Sequence, residues 1–221
     1  MRLTILALTF LVPSLASFLP QFPITTSDPD PGEAPKVNVT LYVMSRCPDA
    51  RRCEAVFEDV LQTEGIVDKV NLNMQYIAKL NHSDPFGMTC KHGPLECLGN
   101  GHELCLASHL NLTSFYATLS CFNFHSPWPG DIGQVEFARQ CLETIGEDWE
   151  TSGVGRCIER KSKNGLGKEA RKLLFENVRE TNERGVEKSC TIEIQSTLVR
   201  GRKRTCLVDD GVWTGCDVSL V

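Results

Sequence analysis

The chain has 221 residues, a formal net charge of −5 at pH 7 and 11 cysteines, with 41% of residues hydrophobic. That length supports one good core, or one domain carrying a subdomain, and the acidic balance gives no reason to expect nucleic acid or an anionic membrane as partner. Eleven cysteines point to an oxidising compartment and several disulfides, and the odd count leaves one thiol over unless it pairs between chains.

The chain opens with MRLTILALTFLVPSLAS, in which Arg2 precedes an apolar run from Leu3 to Val12, followed by the small residues Ser14 and Ala16. This predicts a secretory signal peptide over residues 1–16, too short for a membrane span. An uncleaved anchor is the alternative, and Pro13 interrupts the run it would need. No later segment reaches the roughly 18 apolar residues of a transmembrane helix. Residues 17–35, rich in proline and acid, read as a disordered leader or propeptide. The folded domain should then cover residues 36–221.

VNVTLYV, from Val37 to Val43, alternates and is β-branched, which predicts a strand. From Ala50 to Leu61 the pattern turns helical, with Ala55, Val56, Val60 and Leu61 on one face and Gly65 at the end. Val70 to Leu80 reads as a second strand. Between residue 81 and about 157 the patterns become short and helical, broken by HSPWPGD. Cys90, Cys97, Cys105, Cys121, Cys141 and Cys157 fall here, which predicts a helical insertion held by disulfides, since short helices cannot bury a core alone. Lys168 to Thr181 is a clearer helix, with Ala170, Leu173, Leu174 and Val178 as its stripe. CTIEIQ and RTCLVDD follow as strands joined by the basic run Arg200 to Arg204, a solvated hairpin loop or, alternatively, a dibasic processing site at Lys203-Arg204. Asp210-Gly211 then makes a turn that should bring Cys206 and Cys216 together. The order β-α-β, helical insertion, α-β-β predicts an α/β fold, a thioredoxin-like sheet with a disulfide-stapled helical insertion.

Where the first strand gives way to helix, the sequence reads CPDARRC, Cys47 to Cys53. As a redox site, Cys47 would stand at a helix N-terminus, where free N–H groups and the macrodipole favour a thiolate, and Pro48 suits the first helical turn. As a structural half-cystine it would be one of many. Metal binding is the weakest reading, with no histidine near the pair. Six residues of helix carry Cys53 about 120° off the face of Cys47 and about 9 Å along the axis. A disulfide wants Cα atoms within about 7 Å, so Cys53 should bond elsewhere.

The segment CKHGPLECLGNGHELC, Cys90 to Cys105, reads C-x-H-G-x2-E-C-x2-N-x4-C. It resembles the signature of the gamma-interferon-inducible lysosomal thiol reductase (GILT) family, through Cys90, His92, Gly93, Glu96, Cys97, Asn100 and Cys105, with Lys91 where glutamine is usual. A zinc site from Cys90, His92, Cys97 and Cys105 would follow no usual spacing. The resemblance implies a thioredoxin-like protein, secreted or lysosomal, that reduces protein disulfides without a cofactor or metal. By position Cys47 matches the nucleophile, while Ala50 takes the place of the resolving cysteine. This C-P-D-A form looks like a divergent branch of the family. Ser189-Cys190 stands where a thioredoxin-like fold usually has a cis-proline.

These readings combine into one expectation: a thiol-disulfide oxidoreductase of the secretory pathway, extracellular or in a lysosome or vacuole, acting on disulfide-containing proteins through Cys47. Resolution of the mixed disulfide falls to a small-molecule thiol or another cysteine, with Cys190 and Cys53 as secondary candidates and a structural bridge as the competing reading of Cys190. The alternative is a catalytically inactive binding or effector protein on the same scaffold. The sequons at Asn38, Asn81 and Asn111 predict glycosylation.

Overall fold

The β-branched and aromatic run VNVTLYV forms β1, Val37–Val43, at the centre of the main sheet. The computed structural model describes residues 36–159, 165–195 and 203–215. The expected signal peptide, the leader, most of the basic run and Cys216 lie outside these residues. β1 pairs in parallel with β2, Val70–Tyr76, placing Leu41 opposite Met74. On its other side it pairs antiparallel with β5, Thr191–Gln195, where Leu41 faces Ile192. With β6, Lys203–Asp209, and β7, Val212–Thr214, the order is β2-β1-β5-β6-β7. Leu41, Tyr42 and Val43 are all buried in succession, as a strand covered on both faces requires.

The second strand is shorter than the sequence predicts. Its ladder ends after Tyr76, where the Ile77 N–H donates to the Val43 carbonyl at 2.9 Å. Lys79–Leu80 instead forms β3, paired with β4, Met88–Thr89, in a separate two-stranded sheet. At the opposite edge of the sheet Asp210 (φ 50°) and Gly211 (φ 78°) make the expected turn between β6 and β7. Positive φ at both central residues gives the twist that a two-residue hairpin needs.

α1 spans Pro48–Gln62, with proline in its first turn, so the helix starts two residues before the expected Ala50. Its buried face also differs from expectation. Ala50, Cys53, Glu54, Phe57 and Leu61 point inward, while Val56 and Val60 are 43% and 39% exposed. The inward set keeps 3–4 spacing, but one member is a carboxylate, and hydrophobicity alone assigns that position to solvent.

The insertion is helical and disulfide-bonded, as the sequence predicts. α2 (Pro94–His109), α3 (Leu112–Phe124), α4 (Val135–Thr144) and α5 (Val154–Glu159) carry it. Its bonds are Cys90–Cys97, Cys105–Cys157 and Cys121–Cys141. Those bonds engage every cysteine of the proposed zinc set. α6, Lys168–Glu183, buries Ala170, Leu174, Val178 and Thr181, and packs on α2 and β2. Cys206 is also disulfide-bonded. Among the described residues no helix is long and apolar enough to cross a membrane.

Candidate active site

β1 runs out at Val43, and a tight turn with the Cys47 N–H donating to the Met44 carbonyl at 2.9 Å delivers Cys47 to the N-cap of α1. Cys47 is extended there (φ −90°, ψ 127°), its side chain makes no capping bond, and the Arg51 N–H donates to its carbonyl at 3.1 Å. Among the described residues it is the one free cysteine, and it is 6% exposed.

α2 holds this turn from below. The Ser45 N–H donates to Asn100 Oδ1 at 2.9 Å, and Ser45 Oγ donates to the Glu96 carbonyl at 3.2 Å. Gly99 lies between them, and a Cβ there would come within 2.5 Å of Ser45 Oγ, so glycine is what lets the helix approach. Glu96 is fully buried; its carboxylate accepts the His92 N–H at 3.2 Å and also contacts His92 Nδ1. Gly93 adopts φ +88° to start α2, and the Cys90–Cys97 bond closes the same turn. His92, Gly93, Glu96 and Asn100 therefore build the support on which the Met44–Cys47 turn rests. The structure brings the two sequence constellations together.

Two further anchors fix the surroundings. Arg46 Nη1 donates to the carbonyls of Pro129 at 3.0 Å and Ile132 at 2.7 Å, which ties the Trp128-bearing segment to the turn. The Asp49 carboxylate accepts Arg52 Nη1 at 3.1 Å and the N–H groups of Asp210 (3.2 Å) and Gly211 (3.0 Å), joining the first turn of α1 to the β6–β7 hairpin. A cleft of about 540 Å³ opens beside Met44, lined also by Ile77, Lys91, Val186 and Glu187.

Ala50, 1% exposed, packs inward where a second redox cysteine would stand. Cys53 and Cys190 are bonded to each other, with Cα atoms 6.5 Å apart, so the spacing rule that separated Cys53 from Cys47 holds and the bridge reading of Cys190 describes this state. The Ser189–Cys190 peptide is cis, at the position where the sequence lacks the usual proline.

Sequence reasoning missed one buried group. Glu54, one residue past Cys53, accepts Asn123 Nδ2 at 2.7 Å through Oε2, while its Oε1 has no partner among the described residues. Burial pushes its carboxyl up to about 7. On α2, burial and then the charge of Glu54 hold Glu103 well above the usual carboxylate range, against the hydrogen bond that Tyr76 donates to it at 2.8 Å. The only signal in the sequence was the helical spacing Ala50, Cys53, Glu54, Phe57.

Of the expected glycosylation sites, Asn38 is exposed on β1 and bonds Asn71 across the strands at 3.1 Å. Asn81 Nδ2 donates to Asp84 and to Thr89, both at 3.0 Å. Asn111 is exposed and N-caps α3 by accepting the Ser114 N–H at 2.9 Å.

A parallel β1-α1-β2 unit extended by antiparallel strands, with a cysteine capping the helix after β1 and helices inserted before the last strands, defines a thioredoxin-like fold. Solved structures bear this out at the level of fold. A protein from Nitrosomonas europaea described as a protein disulfide isomerase superposes with a TM-score of 0.53 at 8% identity, covering 80% of this chain and 91% of its own. Reduced DsbA from Mycobacterium tuberculosis gives 0.50 at 13% identity, covering 79% of this chain and 78% of its own. Within that fold the family is more particular. Residues 38–145 match the family model described as Gamma interferon inducible lysosomal thiol reductase (GILT).

Proposed function

We propose that this protein is a thiol-disulfide oxidoreductase of the secretory pathway that reduces protein disulfides through Cys47 alone. The observation that carries the reading is the placement of the one free cysteine among the described residues at the N-cap of α1, on the turn that the GILT signature residues hold. Cys47 as thiolate attacks one sulfur of a substrate disulfide, the S–S bond breaks, and the departing sulfur leaves as a thiolate that takes up a proton. The substrate is then joined to Cys47. Ala50 offers no sulfur to displace it, and Cys53 and Cys190 are engaged with each other. Two equivalents of a small thiol complete the cycle. The first displaces the substrate sulfur from Cys47, and the second releases Cys47 and leaves the small thiol as its own disulfide.

The other disulfides fit an oxidising compartment, extracellular or a lysosome or vacuole. We extend the reading to removal of residues 1–16, a leader over residues 17–35, and glycans on Asn38, Asn81 and Asn111. Turnover of a model protein disulfide, measured with and without a small thiol, tests the function. Wild type should turn over only with the thiol present, and Cys47→Ser should not turn over at all. Equal rates for the two proteins would refute the enzyme reading.

The burial of Cys47 favours a second reading, a scaffold that has lost the chemistry and binds partners instead. Alkylation of the native protein separates the two. A Cys47 that stays unmodified until the protein unfolds supports the binding protein.

A further inference from the structure

The side chain of Arg51, one helical turn past Cys47, lies against two aromatic rings. Its guanidinium carbon lies 5.0 Å from the centre of Trp128 and 5.7 Å from that of Phe124. The three arginines around the turn differ in what they bind. Arg46 donates to backbone carbonyls and Arg52 pairs with Asp49, whereas no carboxylate pairs with Arg51 among the described residues. An aromatic face takes up none of a guanidinium's N–H donors as a carboxylate would, so the fork remains for a carboxylate with two parallel bonds. Phe124 is 59% exposed, so the contact lies at the surface, and Arg46 anchors the Trp128 segment through the Pro129 carbonyl.

The direction is also right. Helical side chains lean toward the N-terminus and cover the turn before their own Cα, and residues four apart share a face. Arg51 thus leans toward the helix end that Cys47 caps. With Cys47 only 6% exposed, a small molecule reaches its sulfur more readily than a folded protein does.

We infer that Arg51, lying against Phe124 and Trp128, docks the carboxylate of the small thiol that resolves the Cys47 mixed disulfide. The inference rests on the monothiol cycle proposed above. The bound thiolate attacks the mixed disulfide, its electron pair forms the new S–S bond, and the old bond breaks with its electrons left on the departing sulfur, which is protonated by water. The Arg51 contact changes no bond; it raises the local concentration of the attacking thiolate.

The test starts from the full chain with Cys47 capped as a methyl disulfide, so that the leaving group carries no charge. Loss of the methyl disulfide from Cys47 is followed by mass spectrometry with mercaptopropionate, mercaptoethanol or cysteamine, each rate divided by that of the same thiol with a small uncharged methyl disulfide, which cancels the thiols' own nucleophilicity. Wild type should favour the anionic thiol over the cationic one by about tenfold, a ratio that salt shrinks. Arg51→Gln should bring the ratio near one, and Arg51→Lys should keep most of it. If Arg51→Gln does not fold, the wild-type ratio and its salt dependence still decide. A wild-type ratio near one, or an unchanged ratio in folded Arg51→Gln, overturns the site while leaving the cycle standing. If no thiol frees Cys47, the cycle itself fails and the inference with it. A carboxylate supplied by the substrate protein predicts a different pattern: the three thiols react alike, and Arg51→Gln slows only the attack on acidic substrates. That result also overturns the proposal.

Discussion

The first and second turns of α1 use the same residue types for opposite ends. In the first turn Cys47 is free, its loop is held by polar bonds to α2, and two of the three local arginines are committed to positioning. In the second turn Cys53 is locked to Cys190 across 137 residues, and Glu54 is sealed against Asn123. At the helix start Cys47 stays free. Six residues further on Cys53 is bridged, and Glu54 beside it is buried against Asn123. Position on the helix, more than residue identity, decides which cysteine is left free.

The sharpest way to break this contrast is to remove each cysteine in turn. Cys47→Ser should abolish reductase turnover entirely while changing stability by about 1 kcal/mol or less. Cys53→Ser with Cys190→Ser should do the reverse. Losing a bridge that closes so long a loop should cost about 2–5 kcal/mol, yet Cys47 alkylation should persist below the lowered melting temperature. Thermal melts beside alkylation rates check both halves. Loss of alkylation in the folded double variant would mean that the second turn takes part in the chemistry.

Glu54 sharpens the comparison through pH. Its ordinary value is 4.5, and burial raises it to about 7 in the folded protein. The folded state therefore holds this proton more tightly than the unfolded chain. Stability is full below about pH 4.5 and is lost as pH rises toward about 7, by about 3 kcal/mol. The groups facing it are acidic or neutral: Glu103 from α2, Tyr76 from β2, Tyr116 and Asn123 from α3. Glu103 extends the loss to higher pH. Glu54→Gln keeps an oxygen for Asn123 but has no proton to lose, so its stability should fall less between about pH 4.5 and pH 8. Denaturation midpoints across that range decide, and parallel curves for the two proteins would refute the assignment.

The two turns also differ in how much of them the sequence revealed. The β-branched and aromatic residues of VNVTLYV placed β1 at its observed bounds, because such residues suit a pleated, covered strand. The Cys-Pro junction placed the helix start within two residues, and Asp210-Gly211 placed the last hairpin, since both are local chemistry. Helix geometry was enough to keep Cys47 and Cys53 apart. It could not choose Cys190 as the partner, because that contact joins residues 137 apart. Glu54 was illegible for a related reason. An acid turns inward only where a partner such as Asn123, 69 residues away, receives it. The contact between the signature and the active turn was hidden in the same way, since Ser45 and Asn100 are 55 residues apart. The sequence supplied both halves of the site and not the hydrogen bonds between them.

That contact gives the smallest effect and the finest test. Asn100→Ala removes the acceptor from the Ser45 N–H and leaves a buried donor unpaired, which should cost about 1–3 kcal/mol. Ser45→Ala removes only the Oγ bond to the Glu96 carbonyl and keeps the backbone bond to Asn100, so it should cost about 1 kcal/mol. If the bonds merely hold α2 against the sheet, both variants should lose stability and react normally at Cys47. If they position the turn, Asn100→Ala should also slow Cys47 alkylation and reductase turnover when folded, because the freed N–H lies two residues before the thiol. Ser45→Ala should then sit between it and wild type. The measurement is alkylation rate against stability for the three proteins at a temperature where all are folded. Asn100→Ala alkylating as fast as wild type would reduce the signature's role at this turn to stability alone.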